Sequence, residues 1–196
     1  MNLPNKLSLL RVFLVPIFMV FYLCDFGFGI WQYVVAAVIY MAAGFTDFLD
    51  GSIARKHGWV TNLGKFLDPL ADKMLTTSAL LGFMMMDNKI PGVLWITFIT
   101  LLREFLVAGI RLSAVADGGK VVAANIWGKA KTVSQMAAII FILAVEWIGK
   151  AFQLSSAFFH YLELGGTCLL WISAILTVVS GVIYVLENAE FINYKN

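Results

Sequence analysis

Charge is scarce in this chain: only 13% of its 196 residues are Asp, Glu, Lys or Arg, while 61% are hydrophobic. Soluble domains carry about a quarter charged residues, so an ordinary water-soluble fold is excluded, and no nucleic-acid partner is expected. Cysteine is almost missing. Cys24 and Cys168 stand 144 positions apart in apolar runs, which excludes a disulfide framework and leaves two packed thiols. Internal repeats, low-complexity tracts and long charged linkers are lacking too, which leaves a single domain over residues 1–196. The N-terminal run NLPNKLSLLRVFLVPIFMVFYLC has the charge-then-apolar order of a signal peptide but no small-residue cleavage site. It is therefore expected to stay as a first helix with an interfacial lead-in.

What the chain does have is apolar runs near the length of about 20 residues that a spanning helix requires. Six are read, at roughly 7–24, 30–50, 68–86, 92–115, 132–149 and 165–187. The expected fold is all-α: a polytopic membrane bundle of six transmembrane helices with an N-terminal interfacial segment. CDFGFG (24–29) and DNKIPG (87–92) carry turn residues, and VADGGK (115–120) breaks the fourth run. Trp31, Tyr33, Trp147, Tyr161 and Tyr194 suit an interfacial belt. Eleven of the fourteen Lys and Arg fall at Lys6 and Arg11, at Arg55, Lys56, Lys65 and Lys73, and at Arg103, Arg111, Lys120, Lys129 and Lys131. By the positive-inside rule these regions and both termini face the cytoplasm.

Against this background DFLDGSIARKHGWVTNLGKFLDPLAD (47–72) is anomalous, because it places four aspartates at the edge of apolar helices. Each carboxylate costs a few kcal/mol or more inside a bilayer, so such residues are functional suspects. Asp47, Asp50, Gly51 and Ala54 follow an i, i+3, i+4, i+7 pattern and share one helical face. Thr61, Gly64, Asp68 and Asp72 form a second stripe, and the small residues allow close approach of two helices. Four converging carboxylates call for hard divalent cations, which take oxygen ligands and share them with phosphates. Two ions bridged by aspartates would clamp the attacking and leaving oxygens of a phosphoryl transfer. A plainer account has Asp68 as an N-cap before Pro69 at the first helical position, with Asp47 and Asp50 paired to Arg55 or Lys73. It explains one carboxylate well and the set poorly.

The spacing D-x2-D-G-x2-A-R-x8-G-x3-D-x3-D, here Asp47, Asp50, Gly51, Ala54, Arg55, Gly64, Asp68 and Asp72, resembles the signature of the CDP-alcohol phosphotransferase family, and all eight fixed positions match. The resemblance implies six transmembrane helices, a homodimer, and transfer of a phosphatidyl or related group from a CDP-linked donor to an alcohol with release of CMP. It implies that Asp47, Asp50, Asp68 and Asp72 hold two Mg²⁺ or Mn²⁺ ions and that Asp72 is the general base. By the same resemblance Gly51, Arg55 and Thr61, with room left by Ala54 and Gly64, contact CDP-diacylglycerol, and Asn5 of LPNKLS belongs to the nucleotide pocket.

REFLVAGIR (103–111), GKAKT (128–132), NLPNKLSLLRV and GKFLDPLADK resemble segments of bacterial phosphatidylglycerophosphate synthases, whose acceptor is glycerol-3-phosphate. A phosphorylated acceptor needs cationic donors. Arg103 and Arg111 lie eight residues apart, roughly on one face. Lys129 and Lys131 lie about 200° apart on a helix, so one of them should turn inward and the other meet headgroups. Glu104 is read as a partner for a neighbouring cation, and His57 and His160 as solvated loop residues. The expected location is a bacterial cell membrane with the site on the cytoplasmic side among membrane lipids. The alternatives are another acceptor within the family (phosphatidylglycerol, serine or an inositol derivative) and, from another class, a cation or proton transporter, since buried aspartates also line ion pathways.

Overall fold

In lipid every backbone N–H and C=O must be satisfied within the protein, so long apolar runs become helices. The computed structural model describes residues 3–57, 62–85, 90–116 and 126–189, and within these the side chains of 3–4, 47–57, 62–66, 68, 115–116 and 150 lie outside the description. Six helices appear in chain order: α1 (Leu3–Leu23), α2 (Trp31–His57), α3 (Asn62–Met84), α4 (Val93–Ala116), α5 (Ile126–Ala151) and α6 (Ser156–Glu187). Asn5–Leu23, Val93–Ala114, Ile126–Gly149 and Ser156–Glu187 are long and apolar enough to cross a membrane, and Trp31–Thr46 is a shorter apolar stretch. The chain is an all-helical, polytopic membrane protein.

Several helices outrun the apolar segments that announce them. The apolar part of α2 stops at Thr46, yet the helix continues through the aspartates to His57. Likewise α3 starts at Asn62 and carries Pro69 inside it. Asp68 is therefore not an N-cap and Pro69 does not open the helix. A proline removes one N–H and crowds the preceding turn, but bundles tolerate this where neighbours satisfy the freed carbonyl. The N-terminal lead-in is the first turn of α1 itself, where Pro4 forgoes only an N–H that has no intrahelical acceptor. His160 lies within α6, not in a connection, because that helix begins at Ser156 behind the Ser155 cap, whose hydroxyl oxygen accepts from Phe158 N at 3.4 Å.

The helices pack α1 on α2 and α3, α5 on α2, α3 and α6, and α4 on α3 and α6, with α2 against α3. An aromatic seam holds the first three. Phe18 of α1 stands 5.4 Å from Tyr40 of α2 and 5.6 Å from Tyr22, which meets Phe83 of α3 edge-on at 6.0 Å. Ala36, Ala43, Ala79 and Ala138, all fully buried, bring the backbones close around it. The outside is apolar as well: Phe13, Trp31, Phe105, Leu112 and Ile175 are all more than half exposed, as suits side chains facing acyl chains. At the end of the bundle away from the motif, Gly92 turns the chain into α4 with φ +79°, and Trp171 of α6 donates its indole N–H to Pro91 O at 3.2 Å. Cys24 and Cys168 are free thiols.

Candidate active site

The acidic motif occupies the polar end of α2 and the start of α3. Asp47, Asp50, Gly51, Ala54 and Arg55 are in α2, while Gly64, Asp68 and Asp72 fall at i, i+4, i+8 along α3 and share a face. The two helices pack against each other. Thr61 lies outside the described residues, as do the side chains of Asp47, Asp50, Ala54, Arg55 and Asp68. Asp72 is described: it is half-buried, and its backbone carbonyl accepts from Thr76 Oγ1 at 3.3 Å. Its carboxylate is near enough to act electrostatically on the hydroxyl of Tyr40, which is fully buried on α2 without a hydrogen-bond partner among the described residues.

α1 packs against both motif helices. Asn5, Ser8 and Arg11, at i, i+3, i+6, are all buried. Arg11 is fully buried and donates its Nε to Thr46 Oγ1 at 3.5 Å, while Thr46 donates to Ala43 O at 2.7 Å. A guanidinium is thus sunk beside the residue preceding Asp47. Sequence reasoning counted Arg11 only as a charge setting topology. The signal that would have found it is its place on the polar stripe of an otherwise apolar helix.

One residue beyond Asp72 the charge changes sign. Lys73 and Pro69 of α3, with Arg103, Glu104, Val107, Ala108, Arg111 and Leu112 of α4, line a cavity of about 340 Å³. Glu104 is its hub, with Lys73 Nζ at 2.6 Å, Lys131 Nζ of α5 at 2.5 Å and Arg103 Nη1 at 3.2 Å. The Nε atoms of Arg103 and Arg111 are buried without a hydrogen-bond partner among the described residues. Gly181 of α6 backs Arg103, since a Cβ there would stand 3.0 Å from Arg103 Cγ. The expected division of the two lysines of α5 holds: Lys131 is buried and Lys129 exposed. So does the shared face of Arg103 and Arg111, and the assignment of Glu104 as a cation's partner. Lys73 was missed as a pocket residue. It pairs with Glu104, and its cue was adjacency to Asp72.

The donor chemistry suits a divalent ion. The motif offers four carboxylates, and the helices carrying both pairs touch. Among the described residues no group of three or more His, Cys, Asp or Glu gathers to hold a metal; three of the four aspartate side chains lie outside that set.

Comparison with known proteins shows the family. The family model for CDP-alcohol phosphatidyltransferase matches residues 1–179. A Bacillus subtilis (strain 168) protein named CDP-diacylglycerol--glycerol-3-phosphate 3-phosphatidyltransferase is 40% identical over 204 residues, covering 100% of this chain and 99% of its own length. A Rickettsia felis protein of the same name is 34% identical over 186 residues, covering 93% of each chain. A Mycobacterium tuberculosis (strain H37Rv) protein named probable phosphatidylglycerophosphate synthase is 37% identical over 185 residues, covering 94% of this chain and 80% of its own. Members of the family generally depend on a divalent metal. With the motif at the meeting of α2 and α3 and a match over residues 1–179, the chain belongs to the CDP-alcohol phosphatidyltransferase family.

Proposed function

We propose that this protein transfers the phosphatidyl group of CDP-diacylglycerol to glycerol-3-phosphate, giving phosphatidylglycerophosphate and CMP for anionic phospholipid synthesis. The observation that carries the choice of acceptor is the cavity lined by Lys73, Arg103 and Arg111 and tied to Lys131, whose lining residue Lys73 follows Asp72 in α3. Three cations paired to one carboxylate, with Arg111 on the same cavity, suit a phosphate dianion, and an uncharged alcohol would not need them. The names of the relatives from Bacillus subtilis and Rickettsia felis support the same substrates.

Asp47, Asp50, Asp68 and Asp72 would hold two divalent ions, Mg²⁺ or Mn²⁺. The chemistry these supply when bound is neutralisation of the pyrophosphate and of the charge that develops on the leaving CMP. Asn5, Gly51, Arg55 and Thr61 hold the CDP moiety, with Ala54 and Gly64 leaving it room. Arg103, Arg111 and Lys131 seat the phosphate of the acceptor, while Lys129 faces lipid headgroups. The 1-hydroxyl of glycerol-3-phosphate attacks the phosphorus that bears diacylglycerol, the bond from that phosphorus to the CMP oxygen breaks, and the hydroxyl proton passes to Asp72. The bundle's contribution is alignment of donor and acceptor in line, with the acyl chains remaining in the bilayer. Residues 1–196 act as one domain, the chain forms a homodimer, and the basic inner segments place both termini and the site on the cytoplasmic side of a bacterial membrane.

The test is CMP release by purified protein from CDP-diacylglycerol, with glycerol-3-phosphate, phosphatidylglycerol, serine and inositol phosphate as acceptors. Release with glycerol-3-phosphate alone is expected. Equal release with serine would remove the argument from the cationic pocket, and no release with any alcohol would remove the activity.

A further inference from the structure

A pocket suited to a phosphate would be expected to exclude carboxylates, because a buried anion repels the ligand. Glu104 nevertheless sits at its centre, with only 13% of its side chain exposed. Its contacts come from three helices: Lys73 of α3 at 2.6 Å, Lys131 of α5 at 2.5 Å, and Arg103 on its own helix at 3.2 Å. Lysine carries its charge on a flexible four-carbon stem, so its ammonium stays where a partner holds it. Two ammonium groups with nothing between them separate, and Lys73, with 41% of its side chain exposed, has water to move into. Lys131, at 6%, does not.

We infer that Glu104 is a positioning residue for the acceptor's phosphate: it pins Lys73 in the cavity between α3 and α4 and holds Lys131 of α5 against that cavity's wall, so that the cationic face exists before the acceptor arrives. This rests on the reading of the cavity as the acceptor-phosphate site. The unpartnered Nε atoms of Arg103 and Arg111 are the donors left open for the phosphate. Glu104 occupies the lysines, and the arginines are left with donors to spare. Since Lys73 follows Asp72 on α3, the same contact fixes the spacing between the phosphate seat and the base. Such preorganisation improves affinity by removing the cost of ordering the cations on binding.

The experiment uses the full-length protein with Glu104→Gln and Glu104→Asp. Apparent KM values are measured for glycerol-3-phosphate and CDP-diacylglycerol, together with competition by inorganic phosphate. Glu104→Gln should raise the KM for glycerol-3-phosphate about tenfold or more, weaken competition by inorganic phosphate in parallel, and leave the KM for CDP-diacylglycerol unchanged. Glu104→Asp keeps the charge but is about 1.5 Å shorter and cannot reach both lysines, so it should show a smaller rise of the same kind. If Glu104→Gln does not fold, Glu104→Asp decides alone. Unchanged KM values, or a joint rise in both with a lowered melting temperature, would overturn the inference and leave Glu104 a strut between helices. Arg111→Ala separates the two layers. If it raises the acceptor KM while neither Glu104 variant does, only the inference about Glu104 fails. If Arg111→Ala leaves the acceptor KM unchanged, the cavity is not the acceptor site and both fail.

Discussion

The acidic face and the basic pocket meet on consecutive residues of α3, Asp72 and Lys73, but they are held by different means. On the acidic side the side chains are short, so the backbones of α2 and α3 dictate where the carboxylates can be. On the basic side the stems are long and the charges go where their contacts put them: Lys73 and Lys131 on Glu104, and Arg103 against Gly181. The difference teaches which damage each region tolerates. A lost carboxylate cannot be replaced by a neighbour moving over, whereas a lost cation leaves others in reach. Substitutions should be all-or-none on the first and graded on the second.

The most severe test is Asp50→Asn, which should abolish turnover while the helical circular-dichroism spectrum and the melting temperature persist. Prolonged treatment of the native protein with EDTA should reproduce the loss, and full activity after chelation would refute the metal reading. Asp72→Asn comes next. It keeps shape and an oxygen ligand but removes basicity, so kcat should fall by roughly 10²–10⁴ while CDP-diacylglycerol binding stays within about tenfold. Calorimetry alongside initial rates across pH checks this, and an unchanged pH profile with surviving kcat would make Asp72 a ligand only.

Across the boundary the effects should shrink. Arg111→Ala removes one charge-assisted contact of about 1.5–3 kcal/mol, so the KM for glycerol-3-phosphate should rise by about tenfold or more while that for CDP-diacylglycerol holds. A comparable rise in both would dissolve the distinction between the two regions. Lys131→Met should raise the acceptor KM less, because Lys73 and Arg103 still meet Glu104. It should also lower the melting temperature, since a buried contact is lost. Lys129→Ala, two residues away on the exposed side of α5, should change neither quantity. A clear effect there would mean that the two lysines exchange roles.

Much of this was readable from the amino-acid order because it depends on period and spacing. The six apolar runs became six helices, and Asp47, Asp50, Asp68 and Asp72 fell on faces of two of them. Helix ends were less legible. Hydropathy marks where lipid stops, but i to i−4 hydrogen bonding continues into polar sequence, so α2 runs on to His57, α5 opens at Ile126, and His160 lies inside α6. Pro69 misled for a related reason: its preference for a helix start is a tendency that a packed bundle overrides.

The order of residues by itself determined the fold class, the membrane habit and the acidic motif, since each follows from local composition and from the fixed 3.6-residue turn. It also limited Lys129 and Lys131 to opposite sides of one helix. Which of the two turned inward was decided only by the tertiary structure, as were the union of Lys73, Glu104 and Lys131 from three separate helices and the burial of Arg11 beside Thr46. The reason is physical. Helical spacing is a property of one segment, but the place of a long charged side chain depends on partners distant in the chain, which the packing of α3, α4 and α5 brings within hydrogen-bonding distance.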